Sequence, residues 1–129
     1  MPYRTFPAHE YQQSVIGGQA NGAVVEFTFG SYDGDGEIAT ATSGFAGIIV
    51  KGEADNVQAA LKMGGFFHLK VNGSTGGNIA AMDPLKPLAA GLGCLADTNN
   101  DKFSAIAMEA ATTDAVNILV YICHGYVGA

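Results

Sequence analysis

The 129 residues carry 6 basic and 12 acidic side chains, a formal net charge of −6, and only 14% of positions are charged, where about 25% is usual. That length fits one domain, and the acidic balance argues against nucleic acid or an anionic membrane as partner. No apolar run approaches the roughly 18 residues of a membrane-spanning helix.

So few charges on a small domain imply surface hidden against other copies, and self-association is expected. The opening MPYRTFPAHEY has no apolar core region, so no secretory signal is expected.

Residues 1–22 follow neither a 3.6 nor a 2.0 period. Pro2 and Pro7 favour extended backbone before them, and Gly17, Gly18 and Gly22 break any helix starting at Tyr11. Tyr3, Phe6 and Tyr11 make the stretch aromatic. It reads as an extended arm that needs something to lie against, or alternatively as an edge strand on its own domain. Residues 23–129 then form the domain proper.

From Ala23 the pattern is that of strands. In Ala23–Phe29, Val25, Phe27 and Phe29 share one face, with Glu26 and Thr28 on the other. Ser31–Glu37 is a turn cluster, and Gly47–Val50 is a short buried strand. Val57–Met63 and Phe67–Val71 alternate, with Gly64-Gly65 predicting a bend or bulge between them. His68 and Lys70 fall on the polar face of the second. Asn72-Gly73-Ser74 opens another turn; it has the form of a glycosylation sequon but reads as a turn.

Asp83–Gly93 allows two readings. One is a short helix capped by Asp83, with Pro84 at its first position and Gly91 at its end; the other is an irregular crossing. Ile106–Met108 and Val116–Ile122 complete the strands, with Val116, Ile118, Val120 and Ile122 on one face. Short strands separated by Gly and Asn/Asp turns predict a mainly β chain. The expected fold is a small single-domain β-barrel or β-sandwich with at most one short helix, preceded by an extended N-terminal arm.

Catalytic motifs are incomplete throughout. Asn72-Gly-Ser74-Thr-Gly76 lacks the first glycine of a nucleophile elbow, and Gly73–Gly77 has no lysine for a phosphate loop. His9-Glu10-Tyr-Gln-Gln13 has Gln where a zinc-protease helix needs its second histidine. His9, His68 and His124 form no ligand-spaced cluster. Cys123 and His124 are adjacent on a strand and point to opposite faces, and Cys94 and Cys123 read as reduced structural cysteines. Reviving an enzyme would need a pocket joining His68, Asp83 and a cysteine.

Two acidic runs invite a cation. Asp97, Asn99 and Asp101 match the first EF-hand ligands, but Lys102 takes the glycine position and Met108 the place of the bidentate glutamate. Asp33, Asp35 and Glu37 lie within five residues. Turn formation is the plainer reading of both. No catalytic residue, metal or cofactor is expected.

Between Gly64 and Ala129 the chain carries an ordered set of elements. These are Gly65-Phe-Phe-His-Leu, Asn78-Ile-Ala-Ala-Met-Asp83-Pro84-Leu85, Gly91-Leu-Gly, Ile106-Ala-Met-Glu109-Ala110-Ala111 and Asp114-Ala-Val-Asn-Ile-Leu-Val. Together they resemble the capsid decoration proteins of tailed bacteriophages, also called cement or head-stabilising proteins. Met82 departs from the pattern, which prefers Gly before Asp83.

The resemblance implies a compact, often trimeric β domain that binds the outer surface of the major capsid protein lattice and stabilises the mature head, without catalysis. It would be made in the host cytoplasm and reside on the virion exterior. Candidate capsid contacts on the arm are Tyr3, Arg4, Phe6, His9 and Tyr11, with Phe6 or Tyr11 as buried anchors. The alternatives are another virion component, such as a head-fibre base or tail-tube-like protein, or a carbohydrate- or cation-binding adhesion module. The last predicts an exposed aromatic platform beside Asp33–Glu37.

Overall fold

Residues 15–128 are described by the computed structural model of the chain. Ten strands follow in order: β1 Val15–Gln19, β2 Phe29–Tyr32, β3 Ile38–Thr40, β4 Gly47–Lys51, β5 Gln58–Lys62, β6 Gly65–Val71, β7 Pro84–Pro87, β8 Gly93–Leu95, β9 Lys102–Ala107 and β10 Val116–Tyr126. They divide into a five-stranded sheet, β1-β5-β4-β2-β3, and a closed barrel, β10-β6-β8-β7-β9. This is the mainly β, single-domain architecture expected, and among the described residues its only helical piece is a 3-10 turn at Ala89–Gly91. Neighbouring strands are antiparallel except β6 and β8, which meet in parallel at Val71 and Gly93.

Side-chain alternation builds the core. Ile118, Val120 and Ile122 of β10 point inward with Leu69 and Val71 of β6, Leu85 of β7, and Ala105 and Ala107 of β9. Burying each of the larger aliphatic side chains contributes roughly 1.5–3 kcal/mol. Phe29, Ala46 and Ile48 from the open-sheet half join this cluster. Ile49, the next residue along β4, must face the other way, and it packs with Ala20, Val24, Ile38, Ala59 and Leu61 in a second cluster. β4 is thus apolar on both faces because both are covered.

Polar contacts tie the sheet to the barrel. The Ala46 N–H donates to the buried Ser104 Oγ at 2.8 Å, His124 Nε2 lies 2.6 Å from the Ala46 carbonyl, and the Lys70 N–H donates to the Phe27 carbonyl at 2.7 Å. The second core leaves no spare volume: a Cβ on Gly30 would lie 2.7 Å from Ile49 Cγ1.

Two expectations are corrected. Ala23–Phe29 is not one strand, and β2 begins only at its last residue, Phe29: Val24 exchanges both backbone hydrogen bonds with Glu53, after which Phe27 takes a φ of 65°. Thr28 Oγ1 closes this turn on the Val25 carbonyl at 2.7 Å. Val25 is therefore 54% exposed, while Phe27 packs on Phe67 with ring centroids 5.5 Å apart.

Asp83 does not cap a helix either. Its carboxylate accepts the Ala80 N–H at 2.9 Å, and Pro84–Pro87 is strand β7, paired with both β8 and β9. Its prolines stand at the two ends, so the inner residues Leu85 and Lys86 keep their N–H groups.

Of the expected N-terminal arm, residues 1–14 lie outside the described residues. Val15–Gln19 pairs with β5, Val15 facing Lys62 and Gln19 facing Gln58, so this part is an edge strand on its own domain.

Gly30→Ala is expected to destabilise the fold by about 1–3 kcal/mol through overpacking against Ile49. Gly34→Ala, where a Cβ would meet nothing within 4 Å, should stay within about 0.5 kcal/mol. Ser104→Ala, which orphans the buried Ala46 N–H, should cost about 1–3 kcal/mol. Denaturant unfolding of the three variants checks the order.

Candidate functional site

The candidate contact residues Tyr3, Arg4, Phe6, His9 and Tyr11 lie outside the described residues. What is described is the body that carries them and the loops and faces around it.

The acidic runs are turn devices. Asp33 Oδ1 accepts the Asp35 N–H at 2.9 Å and the Glu37 N–H at 3.0 Å, and its Oδ2 accepts from Asn21 Nδ2 at 2.7 Å. These bonds shape the β2–β3 connection and hold the Asp33 carboxyl below its ordinary 3.8, the Asn21 bond contributing most. Asp33, Asp35 and Glu37 do bring their oxygens within 4.8 Å of one another, but the Asp33 oxygens already serve the loop.

In the second run, Asp101 Oδ2 accepts from Lys86 Nζ at 2.9 Å and from the Thr98 N–H at 3.1 Å. Lys86, on β7, supplies the positive charge that a cation would bring. It lowers the Asp101 carboxyl and is itself raised.

Asp114 serves the Asn72–Thr75 turn. Its Oδ1 accepts the Ser74 and Thr75 N–H groups at 3.0 and 2.9 Å, and its Oδ2 accepts a short bond from Thr75 Oγ1. Asn72 Oδ1 returns the contact by accepting the Ala115 N–H at 3.0 Å. The Thr75 hydroxyl is the main cause of the lowered Asp114 carboxyl.

The residues that a nucleophilic site would need each have other partners or surroundings. His68 stands edge-on to Phe27, Asp83 is engaged by Ala80, and Cys94 is buried on β8 opposite Lys86. Burial pushes both the Cys94 and Cys123 thiols up, away from the reactive thiolate. Two open clefts are lined by Thr42–Gly44, Lys86–Ala89 and Asn100–Lys102, and by Ala23–Glu26 and Val50–Ala54. Neither contains His68, Asp83 or a cysteine.

The aromatic ring beside the Asp33 loop is Tyr32, whose hydroxyl donates to the Gly17 carbonyl at 2.9 Å and so braces β2 against β1. Exposed ring clusters lie elsewhere. Phe45 meets Tyr126 edge-on at 5.5 Å and His124 at 5.7 Å, with Lys102 Nζ 5.6 Å from the Phe45 centroid. Phe66 and Tyr121 form the other cluster, at 4.9 Å. Sequence reading missed both pairs, since only the strand register and the loop path bring them together.

The elements that carry the sequence resemblance are neighbours in the barrel. Pro84 pairs with Ile106 and Leu85 with Ala105, while the Ala107 N–H donates to the Asp83 carbonyl at 2.9 Å and the Met82 N–H to the Ala107 carbonyl at 2.7 Å. Two segments far apart in sequence are thus one structural unit, the β7–β9 seam.

The lowered carboxyls of Asp33, Asp101 and Asp114 set an acid limit. Each binds its proton more weakly folded than unfolded, so its stabilisation is present above about pH 4 and is lost as pH falls through the folded value. Thermal unfolding should therefore show a melting temperature that drops below about pH 4. Asp114→Asn is expected to lower it at neutral pH and to converge with the parent chain in acid.

No family model matches the chain, and no curated protein matches it. Among solved structures it is similar to the head fiber N base of bacteriophage phi29, with a TM-score of 0.66 and 17% identity, over 89% of this chain and 98% of that one. At that identity the likeness is one of fold.

Proposed function

We propose that the chain is a structural protein of a tailed-phage head, carried on the outer surface of the major capsid protein lattice, and that it performs no catalysis. The fold likeness to a head fiber base over nearly the whole of both chains is the observation that carries this reading. The decoration-protein resemblance of Asp83-Pro84-Leu85 and Ile106–Ala111, neighbours on one seam, supports it from an independent direction. Scarce charge supports a protein that works by contact area and associates with copies of itself.

In this reading the arm docks on the capsid, with Phe6 or Tyr11 as buried anchors, Tyr3 and His9 beside them, and Arg4 against a carboxylate. An extended segment gains main-chain hydrogen bonds when added to an exposed strand edge, and aromatic anchors supply the specificity. Cementing then follows from mass action: a protein that binds the assembled lattice and not the free subunit stabilises assembly by RT ln(1 + [L]/Kd). The second reading, a head-fibre base, draws on the same fold likeness and differs in predicting attachment without stabilisation.

Co-sedimentation with empty expanded heads tests the proposal. Stoichiometric binding is expected, weakened about tenfold or more by replacing Tyr3, Phe6 and Tyr11 together with alanine. These lie before β1, so the described domain is left whole. Saturated heads should also resist heat better than bare ones. Binding without added heat resistance favours the fibre base, and absence of binding removes both.

A further inference from the structure

The outer face of the barrel carries an apolar surface that its polar loops do not explain. Because Ile118, Val120 and Ile122 of β10 point inward, Leu119 and Tyr121 must point outward. Strand register then aligns Phe66 of β6 with Tyr121, Tyr121 with Ile106 of β9, and Ile106 with Pro84 of β7. One apolar row therefore crosses the outside of β6, β10, β9 and β7. His68, Leu119 and Met108 form the next row, set by the His68–Leu119 pair and the Met108 N–H bond to the Leu119 carbonyl. Phe66 is 60% exposed, Tyr121 40%, and Met82, bonded to Ala107 at the rim, 69%. Contiguous apolar surface of this kind on a soluble domain marks a contact site.

The rim is charged asymmetrically. Lys70 lies on the β6 side, outward by register with Asn117. On the β9 side Glu109 holds its Oε2 2.6 Å from the Leu119 N–H. Elsewhere the carboxylates of Asp33, Asp83, Asp101 and Asp114 are committed to loops, and the row from Phe66 to Pro84 itself holds no acidic residue. We propose that this face is where a second copy of the chain docks. A copy turned so that its Lys70 edge lies over the Glu109 edge of the first sets opposite charges around an apolar centre. Two acidic molecules can then approach without like-charge contact. The inference rests on the self-association reading above and names the surface that performs it.

Sedimentation equilibrium of the full chain over a range of concentrations is the test, with Phe66→Glu and Tyr121→Glu made singly and Val25→Glu as an exposed apolar control off the face. The expected result is an oligomer whose dissociation constant rises about tenfold or more in each face variant and is unchanged in the control. Circular dichroism and thermal unfolding establish that the variants fold, and Tyr121→Ser carries the same test should glutamate prevent it. An oligomer indifferent to both face substitutions overturns the assignment of this face and leaves self-association standing. A parent chain that is monomeric throughout overturns both. Face variants that remain oligomeric but no longer join expanded heads give the face to the capsid and overturn the proposal, while head binding itself is read separately by co-sedimentation.

Discussion

Strand β10 is bonded along one edge to β6 and along the other to β9, and this double pairing constrains everything around it. A slip of one residue would move Ile118, Val120 and Ile122 to solvent and bring Leu119 and Tyr121 inside, so the register cannot drift. The interior is narrow, and it closes because bulky residues face small ones: Val120 stands opposite Ala107, and Ile122 opposite Ala105. Such alternation lets a five-stranded barrel fill with side chains and leave no channel. It also fixes the exterior, because each inward aliphatic commits its neighbour to the outer face.

The open sheet depends on that barrel for one of its two cores. Phe29 and Ile48 reach into the barrel cluster, while Ile49 and Leu61 serve the second. A sheet so divided must be held at a fixed distance, and the bonds from Ala46 to Ser104 and from Lys70 to Phe27 hold it there. Ser104 is a buried hydroxyl with a defined partner, which makes it a positioning group and not a burial penalty.

The fold was legible where one strand face is apolar and the other polar. Val57–Met63, Phe67–Val71 and Val116–Ile122 announce themselves by alternation, and the structure places β5, β6 and β10 there. Ala23–Phe29 shows the same spacing although only Phe29 belongs to a strand, because alternation records side-chain character while a strand also needs continuous extended backbone. Glu53 supplies a backbone partner at Val24 and Ile49 supplies one at Phe27 and Thr28, but the left-handed backbone at Phe27 breaks the run between them. Strand β7 was hidden for the opposite reason: two prolines in four residues argue against a strand until their end positions are known. The outer apolar row could not be read either. Nothing in the sequence puts Phe66, Tyr121, Ile106 and Pro84 in line, since that requires three registers at once. Tyr3, Arg4, Phe6, His9 and Tyr11 fall outside the described residues, so these candidate contacts rest on composition and resemblance.

Low charge and acidic loops, taken together, describe one arrangement. Asp33, Asp101 and Asp114 each satisfy two backbone N–H groups or an N–H and an ammonium, so they replace bonds that loops of this length lack. A carboxylate used in this way is also removed from the broad faces. What remains along the row from Phe66 to Pro84 on the barrel exterior is aromatic and aliphatic surface, and burying such a surface incurs little of the desolvation penalty that paired ions carry. For a protein proposed to work by occupying a lattice, that division is economical: turns are locked by ionised groups that stay in water, and the faces left for partners are those that lose least on leaving it.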